Sequence, residues 1–278
     1  MSTGTNSGSV LTRIIAARRE SIAHRQRVLP LAALKMAVQK SAGPVRDFPG
    51  AISRSGAFNV IAELKKASPS RGVLRENFEP AKLAPALAQA GAAALSVLTE
   101  EAFFQGSLAH LKEARKAVPI PILRKDFIVD SWQVWETRAA EADSFLLIVA
   151  ILAEETLREL LSLGRQLGME AMVEVHTREE LARALDAGAK IVGVNNRDLQ
   201  TFDVRLEASF ELIQHIPEAC IAVSESGIRT HEDLERLRGA GFDAFLVGEH
   251  LMKLPDPAIG LRALIGTEDR QPSAPDPK

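Results

Sequence analysis

Apolar runs of strand length recur along this 278-residue chain at 60–64, 93–98, 120–123, 144–149, 171–175, 191–194, 221–223 and 244–247. Their starts lie about 20 to 35 residues apart. Between them the pattern changes to that of amphipathic helices. Segment 80–90 (PAKLAPALAQA) ends at Gly91, and segment 154–167 ends at Gly168. Segment 177–187 (TREELARALDA) opens with Thr177 followed by Glu180 and stops at Gly188. Segment 230–240 repeats the device with Thr230, Asp233 and Gly241. A threonine hydroxyl with an acidic residue three positions on satisfies the free N–H groups of a first turn. A glycine ends a helix because it enters the left-handed region without steric cost.

Continuous apolar strands alternating with amphipathic helices predict a parallel sheet covered by helices. Eight such units predict a closed (β/α)8 TIM barrel. The structural alternative, an open doubly wound sheet, more often carries a G-x-G-x-x-G turn after its first strand, and ELKKAS (63–68) has no glycine. Ahead of the first strand, 11–40 reads as two helices, an N-terminal helical extension. The first, 11–28, has apolar positions Leu11, Ile14, Ile15 and Ile22; Pro30 opens the second, 31–39, and 44–50 is read as a linker. These helices either plug the barrel's bottom or edge its open end. The expected domains are the extension over 1–50, its first ten or so residues disordered, the barrel over 51–266, and a polar, proline-rich tail over 267–278 (TEDRQPSAPDPK), also disordered.

A net charge of −2 provides no basic field for nucleic acid. One cysteine excludes an internal disulfide framework and fits a reducing compartment. The segment MSTGTNSGSV (1–10) lacks a charged and apolar leader, and no apolar run reaches the ~18–20 residues that span a bilayer. The expectation is a cytoplasmic protein with no membrane or nucleic-acid partner. The six histidines show no ligand spacing, so no metal site is expected.

The chemistry sits where apolar runs end. The first ends in Glu63 and Lys65, the third in Lys125 and Asp126, the fifth in Glu174 and His176. The sixth runs into Asn195, Asn196 and Arg197, the seventh into Ser224, Glu225, Ser226 and Gly227, and the eighth into Gly248 and Glu249. In a (β/α)8 barrel the C-terminal strand ends build the active site. A strand period of two puts Glu63 and Lys65 on one face, and likewise Asn195 and Arg197. If those faces point inward, Glu63, Lys65, Lys125, Glu174 and Arg197 converge. Stability alone rarely favours such a ring over apolar packing, whereas a mixed Lys/Glu site suits acid–base chemistry. The glycines of Ser226-Gly227-Ile228 and Gly248-Glu249 let backbone N–H groups approach an anion after strands seven and eight, the frequent phosphate site of barrels. A short helix beginning near Leu251 would add to it. Ser68-Pro69-Ser70-Arg71-Gly72 is either a lid or a surface turn.

The segments IAELKKASPSRG (61–72), EAFFQGSLAHL (101–111), PILRKDFIVD (121–130), MVEVH (172–176), VGVNNRDLQTF (192–202), SESGI (224–228) and LVGEHLM (246–252) together resemble indole-3-glycerol phosphate synthase over about residues 11 to 260. The resemblance implies closure of the indole ring in tryptophan biosynthesis, without metal or organic cofactor. The substrate would be 1-(2-carboxyphenylamino)-1-deoxyribulose 5-phosphate; indole-3-glycerol phosphate, carbon dioxide and water would leave. It makes Lys125 the general acid for ring closure and Glu174 a catalytic carboxylate. Glu63 and Lys65 would assist dehydration and bind substrate, and Asn195 and Arg197 would orient it. Ser68 would lie near its anionic groups, and Ser226, Gly227 and Gly248 would cradle its phosphate. Leu246 and Phe127 would line the aromatic pocket or simply pack the core. No obligate protein partner is implied, and the chain is too short for a fused second barrel.

Some positions depart from the family pattern. Glu249 would repel a phosphate unless its carboxylate points away. Trp132 and Trp135 face a helix and read as structural, as do Asp126 and His176; Glu141 and Asp143 replace a stretch that often contains glycine. Rival readings are a phosphoribosylanthranilate isomerase, a Schiff-base aldolase using Lys125 or Lys65, and a barrel that has lost catalysis. The isomerase would use a cysteine and an aspartate, but Cys220 opens strand seven at the wrong end. The intact Glu63, Lys65, Lys125 and Glu174 argue against the last.

Overall fold

The computed structural model describes residues 9–41, 43–198 and 201–267. The expectations for the first residues and for the tail beyond Thr267 lie outside these.

Eight parallel strands close into a barrel in chain order: β1 (Asn59–Leu64), β2 (Ala94–Leu98), β3 (Ile122–Lys125), β4 (Ser144–Ile148), β5 (Met172–Val175), β6 (Ile191–Asn195), β7 (Ile221–Glu225) and β8 (Ala244–Val247), with β8 pairing back onto β1. The register sets Glu63 beside Ser96, Leu98 beside Lys125, Glu174 beside Gly193 and Asn195 beside Glu225. Nearly every strand residue is buried, because helices cover the outside and side chains fill the inside. Ile61, Leu123, Met172 and Val223, all on odd-numbered strands, share one interior cluster. The residues two positions further along those strands are Glu63, Lys125, Glu174 and Glu225. A period of two keeps them on the same inner face, one layer higher.

The helices are α1 (Val10–Val28), α2 (Leu31–Ser41), α3 (Phe48–Ile52), α4 (Pro80–Gln89), α5 (Leu108–Ala117), α6 (Ser131–Ala139), α7 (Glu154–Gln166), α8 (Arg178–Asp186), α9 (Glu207–Leu212), α10 (His231–Ala240), α11 (Glu249–Lys253) and α12 (Pro257–Ile265). Thr177 and Thr230 cap α8 and α10 as their spacing predicts, and Asp233 completes the capping box of α10. Helix α6 has no clear apolar period because it buries Gln133, Glu136, Thr137 and Arg138.

Of the two places open to the first helices, α1 takes the open end of the barrel. Leu11 and Ile14 of α1 reach the wall of the cavity at the open end. The stretch read as a linker instead contains α3, capped by Asp47, whose Phe48 and Ile52 are fully buried in the interior cluster with Ile61 and Ala94. Five residues are too few to show a helical period. Helix α2 packs on α6: Trp132 Nε1 donates to Leu29 O at 2.9 Å, and Lys35 Nζ stands 5.3 Å from the Trp135 ring.

Candidate active site

A cavity of about 690 Å³ opens at the C-terminal ends of the strands. All eleven residues singled out for catalysis or binding line it: Glu63, Lys65, Ser68, Lys125, Glu174, Asn195, Arg197, Ser226, Gly227, Leu246 and Gly248. Phe127 lines it too.

Its floor is the charged layer. Lys125 Nζ donates to Glu174 Oε2 at 2.8 Å and to Glu225 Oε2 at 2.5 Å. Lys65 Nζ lies 2.6 Å from Glu63 Oε1. Asn195 Nδ2 donates to Glu174 Oε1 at 3.1 Å, and its Oδ1 accepts from Ser226 Oγ at 2.9 Å and Arg197 N at 3.1 Å. Burial alone would lower the Lys125 ammonium, but Glu174, Glu225 and Glu63 outweigh it and raise it. Glu174 is subject to burial, which favours its neutral form; Lys125, His176 and the Asn195 hydrogen bond reverse this and lower it. Glu225 goes the other way. Burial pushes it up to about 7 against the pull of Lys125, with Glu174 and Glu63 adding repulsion. Two neighbouring carboxylates driven apart in this way supply an ionised base and a protonatable acid near neutral pH. A lysine held charged by two carboxylates is a poor Schiff-base nucleophile, which counts against aldolase chemistry at Lys125.

Glu225 was named only as a strand end, not as a site residue. Its signal was present: the run IAVSE ends in charge on an odd strand, as those of Glu63, Lys125 and Glu174 do. Gly193 makes room for it, since a Cβ there would overlap Glu225 Oε1. Gly248 serves Glu63 in the same way; a Cβ there would lie 2.9 Å from Glu63 Cβ and overlap its carboxylate.

Arg197 lines the cavity but does not join the charged floor. Its Nη2 donates to Glu249 Oε2 at 2.8 Å. Glu249 also takes Lys253 Nζ at 2.6 Å and stands 3.5 Å from Arg71 Nε. Its carboxylate is therefore occupied by cations, the condition under which an anion could be tolerated nearby. Ser226 and Gly227 both have positive φ, 67° and 85°, so the backbone turns sharply beside Gly248, the N-cap of α11. The Ser68–Gly72 loop is a hairpin, with Ser68 paired to Gly72 and Ala67 to Val73. Its tip, Pro69, Ser70 and Arg71, lines the cavity.

Asp126 turns away from Lys125 into a buried network. It accepts from Thr99 Oγ1 at 2.5 Å, Arg124 Nη2 at 2.9 Å and Arg18 Nη2 of α1. Arg124 also pairs with Glu136 at 2.9 Å, and Glu136 with Arg25. Asp143 clamps β3 by accepting from Ile122 N at 2.8 Å and Arg115 Nη1 at 2.9 Å. Cys220 is no part of the cavity, and burial raises its thiol. Among the described residues no group of three or more His, Cys, Asp and Glu could hold a metal ion, and no helix is long and apolar enough to cross a membrane.

The family model for indole-3-glycerol phosphate synthase matches residues 11–264, nearly the whole described chain. The chain belongs to the indole-3-glycerol phosphate synthase family. It is 46% identical over 260 residues to the indole-3-glycerol phosphate synthase of Aromatoleum aromaticum, covering 92% of this chain and 99% of that one. It is 47% identical over 258 residues to that of Acidithiobacillus ferrooxidans, covering 92% and 98%. Among solved structures, 3-hexulose-6-phosphate synthase from Salmonella typhimurium superposes with a TM-score of 0.61, covering 76% of this chain and 98% of that one. At 12% identity that likeness speaks for the barrel alone. Within the synthase motifs, Leu199 and Gln200 lie outside the described residues.

Proposed function

We propose that this chain is an indole-3-glycerol phosphate synthase acting in tryptophan biosynthesis. It converts 1-(2-carboxyphenylamino)-1-deoxyribulose 5-phosphate to indole-3-glycerol phosphate, carbon dioxide and water. Beside family membership, one observation carries this reading: Lys125 held between Glu174 and Glu225 on the floor of a cavity whose rim bears a glycine-turned, cation-rich edge.

The conversion is redox-neutral and asks for protons at defined moments. When the ring carbon attacks the ketone, Lys125 gives its proton to the developing alkoxide, which is more basic than the amine. Carbon dioxide then leaves from the ring carbon under attack. Loss of the hydroxyl as water takes a proton from the Glu63–Lys65 pair, and an ionised carboxylate, Glu174, removes the proton whose loss completes the indole. Glu225, protonatable near pH 7, exchanges protons with Lys125. Asn195 and Arg197 orient the substrate, with Asn195 held by Glu174 and Ser226. Ser226, Gly227 and Gly248 offer backbone N–H groups to the phosphate, Ser68 lies near the anionic groups, and Leu246 with Phe127 lines the aromatic pocket. On this reading the enzyme works in the cytoplasm and needs no protein partner.

The test is direct. Purified protein is incubated with the carboxyphenylamino-deoxyribulose phosphate, and indoleglycerol phosphate is followed by its fluorescence. Turnover in the wild type that disappears in Lys125→Met is the expected result. No turnover by a folded protein that still binds the substrate would overturn the assignment of the reaction.

A further inference from the structure

His176 follows β5 two residues after Glu174, does not line the cavity, and leaves 13% of its side chain exposed. Its ring is flanked by carboxylates at both nitrogens. Nδ1 lies 3.2 Å from Glu180 Oε2, an oxygen that also accepts the backbone N–H of His176 at 2.7 Å. Nε2 is buried, makes no hydrogen bond of its own, and stands 3.4 Å from Glu174 Oε1.

A neutral imidazole has one N–H and one lone pair. Whichever nitrogen carried the hydrogen, the other would point a lone pair at a carboxylate oxygen. Only the imidazolium presents a donor to both. The charge balance of the site points the same way: Glu63, Glu174 and Glu225 face Lys125 and Lys65, three carboxylates against two ammoniums. We propose that His176 is a positioning residue for the ring-closing reaction: as an imidazolium anchored by Glu180 on α8, it holds Glu174 from behind and keeps that carboxylate ionised. This rests on the reading of Glu174 as a base.

The groups facing the ring are Glu174 from β5, Glu180 from α8 and, further off, Glu225 from β7; Lys125 of β3 stands across Glu174. The turn 149–151 packed on β5 carries no titratable residue, and Asn195 of β6 is neutral. Burial opposes the charged ring; the Glu180 hydrogen bond and the fields of Glu174, Glu180 and Glu225 raise it above its ordinary value. Glu180 belongs to the first turn of α8, where a carboxylate is favoured by the helix end. The second carboxylate is thus held in place independently of the active site, and the ring cannot swing away from Glu174 without breaking that anchor.

Two measurements test this. In the 15N-labelled full chain without substrate, the His176 ring nitrogens, assigned by their loss in His176→Gln, should both show imidazolium shifts at pH 7. In Glu180→Gln the ring should become neutral at a lower pH. In turnover assays, His176→Gln should move the acid limb of kcat to higher pH by at least about half a unit, because Glu174 loses a neighbouring positive charge. KM should change less than twofold, and Glu180→Gln should shift the limb in the same direction by less. A neutral wild-type ring at pH 7 overturns the proposal, and so does a lowered Tm with an unmoved acid limb. Should His176→Gln fail to fold, the ring is assigned as the one whose titration moves in Glu180→Gln, and its shifts in the wild type at pH 7 still decide. Absence of wild-type turnover would instead count against the reading of the reaction, since the ring's charge is read without substrate.

Discussion

Helix α1 is held to the barrel by the fully buried Arg18–Asp126 pair beside the partly buried Arg25–Glu136 pair, and the strength of the first can be worked out from what each partner keeps when the other is removed. Arg18 and Asp126 are both buried, at 2% and 1% exposure. Arg18→Met preserves most of the apolar stem and deletes the charge. Asp126 then still has Arg124 at 2.9 Å, Thr99 at 2.5 Å and the Phe127 N–H at 2.8 Å. The loss is one hydrogen bond between charged groups, about 1.5–3 kcal/mol. Asp126→Asn is worse, because Arg18 and Arg124 then face each other across an uncharged amide. Breaking a buried pair in this way costs about 3–5 kcal/mol. At about 2–4 °C per kcal/mol for a domain near this size, Tm should fall by roughly 3–12 °C for Arg18→Met and 6–20 °C for Asp126→Asn.

The assay is thermal unfolding of both variants and the double mutant, with turnover measured below the transition. The double mutant should melt above Asp126→Asn alone, since the uncompensated guanidinium is gone. Turnover should fall in Arg18→Met as well, because Leu11 and Ile14 of the same helix wall the cavity. Equal losses in the two single variants would refute the reasoning, as would additive losses in the double mutant. Either would mean that Asp126 does not couple the two arginines.

Four further outcomes follow from the site. Lys125→Met should lower kcat by about 10²–10⁴, the range for general acid catalysis, while calorimetry shows an unreactive substrate analogue still bound. Gly248→Ala should lower kcat more than it raises KM in steady-state kinetics, because its Cβ meets Glu63; an effect on KM alone would assign the glycine to phosphate approach instead. Glu249→Gln should lower KM several-fold by freeing Arg197, Lys253 and Arg71 and removing repulsion of the phosphate; a higher KM would mean the carboxylate is needed to hold those cations in place. Glu225→Gln should trade activity for stability. A carboxyl raised to about 7 in the folded protein releases its proton more readily when unfolded, so stability is lost as pH rises from the ordinary carboxylate value through 7. Melting curves should therefore show the variant gaining on wild type at pH 8 relative to pH 5, while its turnover falls.

The barrel was legible because its strands are continuous apolar runs and several helices carry their own start and stop signals. Cap spacing located α8 and α10 to within a residue. What escaped was structure without a period. Helix α3 is only five residues long, and α6 buries polar side chains that a search for apolar stripes passes over. The site was legible for a different reason: charged residues at the ends of apolar runs are conspicuous, and all eleven chosen residues line one cavity. Arg197 was expected in the central ring because its sequence spacing says which face it shares, not which partner it finds; Glu249 was that partner. The Arg18–Asp126 contact joins residues 108 positions apart and leaves no local trace in the sequence.

The omission of Glu225 shows what reading one strand end at a time leaves out. In a barrel, each interior layer is made of four side chains from alternate strands. Once Glu63, Lys125 and Glu174 are placed on the first, third and fifth strands, the seventh must supply the fourth member of their layer. The candidate two residues beyond Val223 is Glu225. In a barrel shaped only by stability that layer would be apolar, like Ile61, Leu123, Met172 and Val223 beneath it. Replacing four such residues with three carboxylates and one ammonium forfeits apolar burial and leaves Glu174 and Glu225 sharing that ammonium, while Glu63 turns to Lys65. Burial raises Glu225 to about 7 against the pull of Lys125, with repulsion from Glu174 and Glu63 added, while Lys125 and His176 outweigh burial and lower Glu174; the carboxylates in turn keep Lys125 charged. The acid, the base and the difference between them meet in one layer of the barrel, so a change to Lys125 should alter the protonation of both Glu174 and Glu225.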